Sequence, residues 1–319
     1  MTDMPEIEER AACRSPRTGM TIMKKAGLAF AAIVTLGLAA ALPARAQDAQ
    51  EPSFQPRIPK RQSWSFAGPI GIYDTAQLQR GYKIYREVCS TCHSMNLMKF
   101  RNLSEPGGPQ FTEGQVEALA ASYKVQDGPN EAGDMFERPG RPADPFPKPF
   151  ANEQLAKAAN GGALPPDMSV LAKARSFERY NWFPADVVYG IWNILTQYQT
   201  QGPDYISALL QGYTDPPPGV KLDPGQNWNP VFAAGNGRLA MPQPIRDGQV
   251  DYPKGPDGKP VVPETVAQYS RDVAAFLMWV AEPRLDRRKQ LGLEVMLYLL
   301  IAAGLMYFVK KKVWASAHA

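Results

Sequence analysis

Two stretches of the chain are apolar almost without interruption, and several others carry apolar residues at helical spacing. The first continuous run, residues 26–42, follows Lys24 and Lys25 and leads to Ala44-Arg45-Ala46, the small-x-small pattern of a signal-peptidase site. Its short length and its Ala and Gly content predict an export signal cleaved after Ala46 rather than a retained anchor. Residues 1–19 carry Asp3, Glu6, Glu8 and Glu9, which do not suit a signal n-region and point to initiation at Met20 or Met23. The second run, LGLEVMLYLLIAAGLMYFV, covers residues 291–309. As a helix it spans about 28 Å, enough to cross the hydrocarbon layer of a bilayer. Arg287-Arg288-Lys289 and Lys310-Lys311-Lys312 bracket it as two interfaces would, and Glu294 lies within a turn of its start. These brackets nearly balance, so the export signal orients the span. The predicted organisation is an N-terminal extension and signal over 1–46, an exported, periplasmic domain over 47–286, an anchor with basic flanks over 287–312, and a cytoplasmic tail over 313–319.

Inside the exported segment the spacing predicts helices. Asp74-Thr75-Ala76-Gln77 resembles a capping box, and Leu78, Gly81, Tyr82 and Tyr85 recur on one face up to Val88. A second amphipathic helix is predicted over 265–281, with Val266, Tyr269, Val273, Phe276, Leu277 and Val280 on one side and Pro283 beyond its end. The two are expected to pack together, with Gly81 and Tyr85 admitting a close crossing and the other aromatic residues filling the core. Shorter helical patches fall at 113–125, 152–160 and 184–197. Residues 139–149 hold five prolines in eleven positions and should be extended loop. With 31 prolines and 26 glycines in 319 residues, the chain stays below the level expected of disorder, and loops should make up much of the domain. The fold class that follows is mainly α with long Pro/Gly-rich loops, wrapped around a cofactor rather than built on a sheet, plus one C-terminal transmembrane helix.

The first predicted helix ends in Cys89-Ser90-Thr91-Cys92-His93, a C-x-x-C-H run. Two thiols three positions apart can add across the two vinyl groups of one porphyrin, and the next residue offers an imidazole to the iron. The spacing therefore predicts one covalently attached haem c. A zinc site would need four Cys or His ligands, and beyond His93 the chain has only His318, past the apolar span. A redox dithiol usually follows a strand, whereas this motif closes a helix. Cleavage after Ala46 removes Cys13, so the mature chain keeps two cysteines, both engaged by haem, and forms no internal disulfide. The net charge of +4 is too small and scattered for a nucleic-acid partner.

With His93 on one side of the iron, the opposite ligand decides the chemistry. No second His is available, which leaves methionine or an open position. Met95 and Met98 follow the motif too closely, and Met296 and Met306 lie in the span. Met135, Met168, Met241 and Met278 remain; the glycine-rich lead-in to Met241 and the proline after it favour that residue, with Met168 in Pro165-Pro166-Asp167-Met168 as the next candidate. A His/Met pair saturates the iron, so outer-sphere electron transfer is expected rather than catalysis.

Several longer runs carry a family resemblance: RGYKIYREVCSTCHSM, VQDGPNEAGDMFERPGRPADPFPKPF, GGALPPDMS followed by AKAR, LAMPQPI, and FLMWVAEPRLDRRKQLG before the span. From about residue 64 onward the chain resembles, in order, the cytochrome c1 family, bacterial type, the haem subunit of ubiquinol:cytochrome c oxidoreductase or respiratory complex III. The resemblance implies a c-type cytochrome domain in which Cys89 and Cys92 hold the haem, His93 and Met241 are the axial iron ligands, and Arg175 pairs with a haem propionate. It demotes Met168. It also implies a non-catalytic electron-transfer subunit that takes one electron from a Rieske iron-sulfur protein and passes it to a soluble or membrane-bound cytochrome c, beside cytochrome b, in a dimeric complex of the inner membrane. Residues 176–204, including Trp182 and Trp192, read as an insertion relative to the shortest members. Residues 103–153 hold nine acids against four bases, a local net of −5, which suggests a docking field for a basic carrier. Two other readings are an anchored cytochrome c of another respiratory oxidoreductase and an open-site haem gas sensor.

Overall fold

The computed structural model describes residues 53–177, 183–195 and 201–315. The expected signal peptide and the extreme C-terminal tail lie outside them. Eight α-helices are found among the described residues: α1 (Thr75–Glu87), α2 (Glu113–Ala121), α3 (Glu153–Ala159), α4 (Leu171–Ala174), α5 (Phe183–Leu195), α6 (Gln201–Gln211), α7 (Val266–Ala281) and α8 (Leu285–Ala315). Two small antiparallel hairpins join them. Strand β1 (Lys124–Asp127) pairs with β2 (Phe136–Pro139), Lys124 opposite Pro139, and β3 (Asn227–Trp228) pairs with β4 (Arg238–Leu239), Asn227 opposite Leu239.

The helix starts follow from capping chemistry. Asp74 accepts from the Ala76 and Gln77 amides at 2.9 and 3.2 Å, Thr112 from Gln115 N, Asn152 from Leu155 N, and Thr265 from Gln268 N. Each satisfies an amide that a helix N-terminus leaves without an intrahelical partner. Helix α1 ends at Val88 and tightens into a 3-10 turn, Cys89–Thr91.

The core is the crossing of α1 and α7. A Cβ at Gly81 would lie 2.2 Å from the Asp272 carbonyl oxygen and 2.6 Å from Phe276 Cβ, so only glycine permits this approach. Tyr85, expected to share that role, instead packs as a core aromatic, stacked on Phe146 and tilted against Phe276. Tyr82, Phe111, Phe100 and Tyr123 extend the same cluster, with ring centroids 5.0 to 6.1 Å apart.

Helix α7 is not the one-sided helix its spacing suggests. Residues 272–280 are all buried, because α1, α6 and α4 each cover part of it. Asp272 is therefore enclosed, and it is fully partnered: Arg80 Nε and Nη2 donate to its two oxygens at 2.9 and 3.2 Å, Tyr252 OH donates at 2.8 Å and Gln268 Nε2 at 2.9 Å. A buried carboxylate is tolerated only with such pairing.

Residues 176–204, expected to be an insertion, include 178–182 and 196–200, which lie outside the described residues, and run into helix α6. It begins at Gln201, and Asp204 is buried in the core, accepting from Gln62 N at 3.1 Å and Trp64 Nε1 at 2.9 Å. Ser207, next to it, meets Gln62 Nε2 at 2.9 Å and Ser270 Oγ at 3.3 Å. These bonds tie the segment before α1 to α6 and α7.

Helix α8 runs unbroken for 31 residues. Its first turns belong to the domain: Leu285 and Lys289 are buried, and Lys289 Nζ donates to the carbonyls of Phe66 and Gly71. Asp286 Oδ2 accepts from Tyr73 N at 3.2 Å, and Glu282, just before the helix, pairs with Arg288 at 2.7 Å and with Lys173 of α4 at 2.9 Å. From Leu291 onward the helix is apolar and exposed, long enough to cross a membrane.

Candidate haem site

The turn after α1 is closed by Cys92 N and His93 N donating to Cys89 O at 3.2 and 2.9 Å, which brings both sulfurs and the imidazole onto one short arc. Both thiols are free. Burial, with Cys92 adding, pushes the Cys89 thiol up to about 12, so at neutral pH it carries its proton. The attacking thiol of a redox dithiol is depressed, and Cys89 is shifted the other way. Among the described residues there is also no group of three or more His, Cys, Asp and Glu side chains arranged to hold a metal ion.

The His93 ring is buried, and its Nδ1 lies 2.8 Å from the Pro166 carbonyl oxygen. A carbonyl only accepts, so the neutral ring carries its proton on Nδ1 and leaves the Nε2 lone pair for a metal. Burial lowers the His93 pKa, partly opposed by the Pro166 bond and the Asp167 charge, and so favours that neutral form. The arrangement fits a proximal ligand to haem iron, with two thiols one turn away for covalent attachment.

What fixes the ring is the loop that carries Pro166. Asp167 accepts from Ser94 Oγ at 2.9 Å and from Asn96 N at 2.8 Å, Ser169 Oγ accepts from Leu97 N at 3.0 Å, and Met168 N donates to Ser94 O at 2.8 Å. Burial alone would raise the Asp167 pKa, but the bonds from Ser169, Asn96 and Ser94 hold it below the usual carboxylate range. Met168 is thus stitched beside the histidine itself and is buried there. Met278 is enclosed in α7, Met95 and Met98 are buried in the core, and Met135 is exposed on the β1–β2 hairpin.

Met241 follows β4 and is half-buried against the core. Its glycine-rich lead-in is a built turn. Asn236 is left-handed, Gly237 has φ +80° and donates to Phe232 O at 2.9 Å, and a Cβ on Gly237 would strike the Trp228 ring at 2.6 Å. Tyr213 OH then donates to the carbonyls of Met241 and Pro242 at 3.2 and 3.3 Å, fixing the backbone that presents the thioether.

Arg175 caps α4 and is exposed. Its guanidinium forms no ion pair with a carboxylate among the described residues, and its charge is felt at the Tyr205 phenol of α6. An always-charged donor with no carboxylate partner among the described residues suits a propionate. A cleft of about 280 Å³ beside the motif is lined by Tyr85, Ser90, Phe100, Tyr123, Phe146 and Lys148, among others. Neither His93 nor Met241 lines it, so it is separate from the candidate ligands.

Pro166, Asp167, Ser169 and Tyr213 were not singled out from sequence. The Pro-Pro-Asp-x-Ser run was the available signal for the first three; nothing local marks Tyr213.

Comparison with known proteins identifies the family. A model described as the Cytochrome C1 family matches residues 64–317. A protein of Bradyrhizobium diazoefficiens named "Cytochrome b/c1" is 51% identical over 301 residues, covering 93% of this chain and 42% of that protein, so the chain spans less than half of that relative. "Cytochrome c1" of Blastochloris viridis is 44% identical over 292 residues, 90% of this chain and 96% of the relative. A Solanum tuberosum protein, "Cytochrome c1-2, heme protein, mitochondrial", is 39% identical, covering 79% of this chain and 84% of the relative. The chain belongs to the cytochrome c1 family.

Proposed function

We propose that this chain is a membrane-anchored c-type cytochrome, the electron-transfer subunit of a ubiquinol:cytochrome c oxidoreductase. The observation that carries the reading is the His93 ring, proton fixed on Nδ1 by Pro166, at the end of a C-x-x-C-H helix. Cys89 and Cys92 would hold haem c through thioethers, His93 and Met241 would be the axial ligands, and Arg175 would pair with a propionate. The haem, when bound, supplies reversible one-electron change at iron. The protein's own part is to fix the ligands: the Asp167 and Ser169 bonds keep the Pro166 loop against the imidazole, and Tyr213 holds the Met241 backbone from the other segment. Two ligands held this way would close a bound iron to small molecules and leave outer-sphere transfer.

In this reading the chain accepts one electron from a Rieske iron-sulfur protein and delivers it to a cytochrome c, with α8 beside cytochrome b, in a dimeric complex whose haem domains face the periplasm. The acidic stretch 103–153 supports docking of a basic carrier, though part of its charge is used internally. Arg138 bridges Asp127 and Asp144, the latter at 2.7 Å, and Lys124 meets Glu137 at 3.6 Å. The exposed Glu113, Glu117, Glu131 and Asp134 remain for a partner.

The test is purification from membranes. The haem chain should come with a b-type cytochrome and an iron-sulfur protein, and its ferrous form should bind carbon monoxide only after Met241→Ala. Co-purification with a terminal oxidase alone, or ready carbon monoxide binding by the unaltered chain, overturns the assignment.

A further inference from the structure

The turn between Trp64 and Tyr73 points its aromatic residues inward and its aliphatic ones outward. Trp64, Phe66 and Tyr73 are buried in a row, with ring centroids 5.4 and 5.1 Å apart. Ile70, by contrast, is 81% exposed and Ile72 57%, with Pro69 exposed beside them. This is not a loose loop. Ala67 N donates to Trp64 O at 3.1 Å, and the chain folds back so tightly that a Cβ on Gly71 would lie 2.0 Å from Ala67 O.

The turn is also fastened to the anchor. Lys289, only 5% exposed, donates to the carbonyls of Phe66 and Gly71, the latter at 3.0 Å, and Asp286 accepts from Tyr73 N. Two residues after Lys289, at Leu291, the exposed apolar surface of α8 begins. Two residues of helix rise about 3 Å, and the headgroup layer is roughly 5–7 Å deep on each side of the hydrocarbon. The turn therefore sits at headgroup depth. Arg284, just before α8, and Arg287, in its first turn, are both exposed and could meet lipid phosphates at that depth.

We propose that residues 69–72 form a second membrane contact, with Ile70 and Ile72 inserted into the interfacial layer of the leaflet that α8 enters. The occupant is phospholipid. The patch lies on a turn bonded to Lys289, two residues before the exposed apolar surface of the span begins, and Pro69, Ile70 and Ile72 offer no side-chain hydrogen-bonding group. A protein interface of this kind normally mixes aromatic and polar anchors into its contact. The chain is thus held at the bilayer by a helix and a turn locked together through Lys289.

The experiment places a photoreactive p-benzoylphenylalanine at position 70 of the full chain in its native membrane, with the same residue at Leu97, 72% exposed in the turn after His93, as the comparison. Irradiation should give a lipid adduct at position 70, read by mass, in at least several-fold excess over position 97. A protein cross-link at position 70 in place of lipid overturns the proposal in favour of a partner subunit. Equal lipid labelling at 70 and 97, or none at either, overturns it as well.

Discussion

Replacing Gly81 with alanine tests the α1–α7 crossing, because the added methyl meets backbone rather than a side chain that can rotate away. The built Cβ lies 2.2 Å from Asp272 O, 2.8 Å from Asp272 C and 2.6 Å from Phe276 Cβ. Restoring an ordinary contact of about 3.4 Å to that oxygen requires the α7 backbone to retreat by roughly 1.2 Å, in an interior packed as densely as an organic crystal. Overpacking of this kind costs about 1–3 kcal/mol, and a backbone obstacle puts it at the upper end or just above. The better helix propensity of alanine returns up to about 1 kcal/mol. The net is a loss of about 2–3 kcal/mol, which for a domain of this size lowers Tm by roughly 4–12 °C. Gly114 supplies the comparison: it is a helical glycine in α2 with nothing within 4 Å of its built Cβ. Gly114→Ala should be neutral or stabilising by up to about 1 kcal/mol. Circular dichroism melts of the detergent-purified chain, at one scan rate, read both. A Gly81→Ala variant melting within about 2 °C of the unaltered protein, or a Gly114→Ala variant destabilised as much, would refute the packing argument.

Asp272→Ala leaves Arg80 without its bidentate partner and Tyr252 OH without its acceptor; a loss of about 3–5 kcal/mol is expected in the denaturant midpoint, with Asp272→Asn milder. Arg138 holds the Asp144 carboxyl at about 2, below its ordinary 3.8. A depressed carboxylate pKa gives stability that is fully present above the unfolded value and lost as pH falls through the folded one. Amide protection factors in the β1–β2 hairpin, taken against the intrinsic rate at each pH, should therefore fall between about pH 4 and pH 2, and Asp144→Asn should show the lower protection already at pH 5; a hairpin equally protected at pH 5 and pH 2 contradicts this. Neutralising Glu113, Glu117, Glu131 and Asp134 together should flatten the ionic-strength dependence of electron transfer to a basic cytochrome c, since exposed charges act through a screened field. An unchanged salt slope removes the docking role of this stretch.

Where a local rule governs a segment, the sequence told the fold well. Asp74, read as a capping box, marks the start of α1 because capping is a contact over two or three residues, and the same contact starts α2, α3 and α7 at Thr112, Asn152 and Thr265. The C-x-x-C-H run was equally legible, its chemistry lying within five residues. Helix α6 was not, because Asp204 and Ser207 occupy its buried face and break the apolar pattern; they are satisfied by Gln62, Trp64 and Ser270, all far away in sequence. The same distance hid Tyr213, whose hydroxyl reaches Met241 across 28 residues, and the acceptor for His93, 73 residues on. The full enclosure of α7 escaped notice because periodicity reports the first face a helix buries and not the second.

The unbroken passage of α8 from domain to span has a mechanical consequence. With no hinge after Leu285, and with Lys289, Asp286 and Glu282 gripping the domain around its first turns, a rotation of the helix about its own axis turns the whole domain through the same angle. Whatever fixes the azimuth of the apolar part of α8 thereby fixes the azimuth of the domain, and with it the flank that carries the C-x-x-C-H turn.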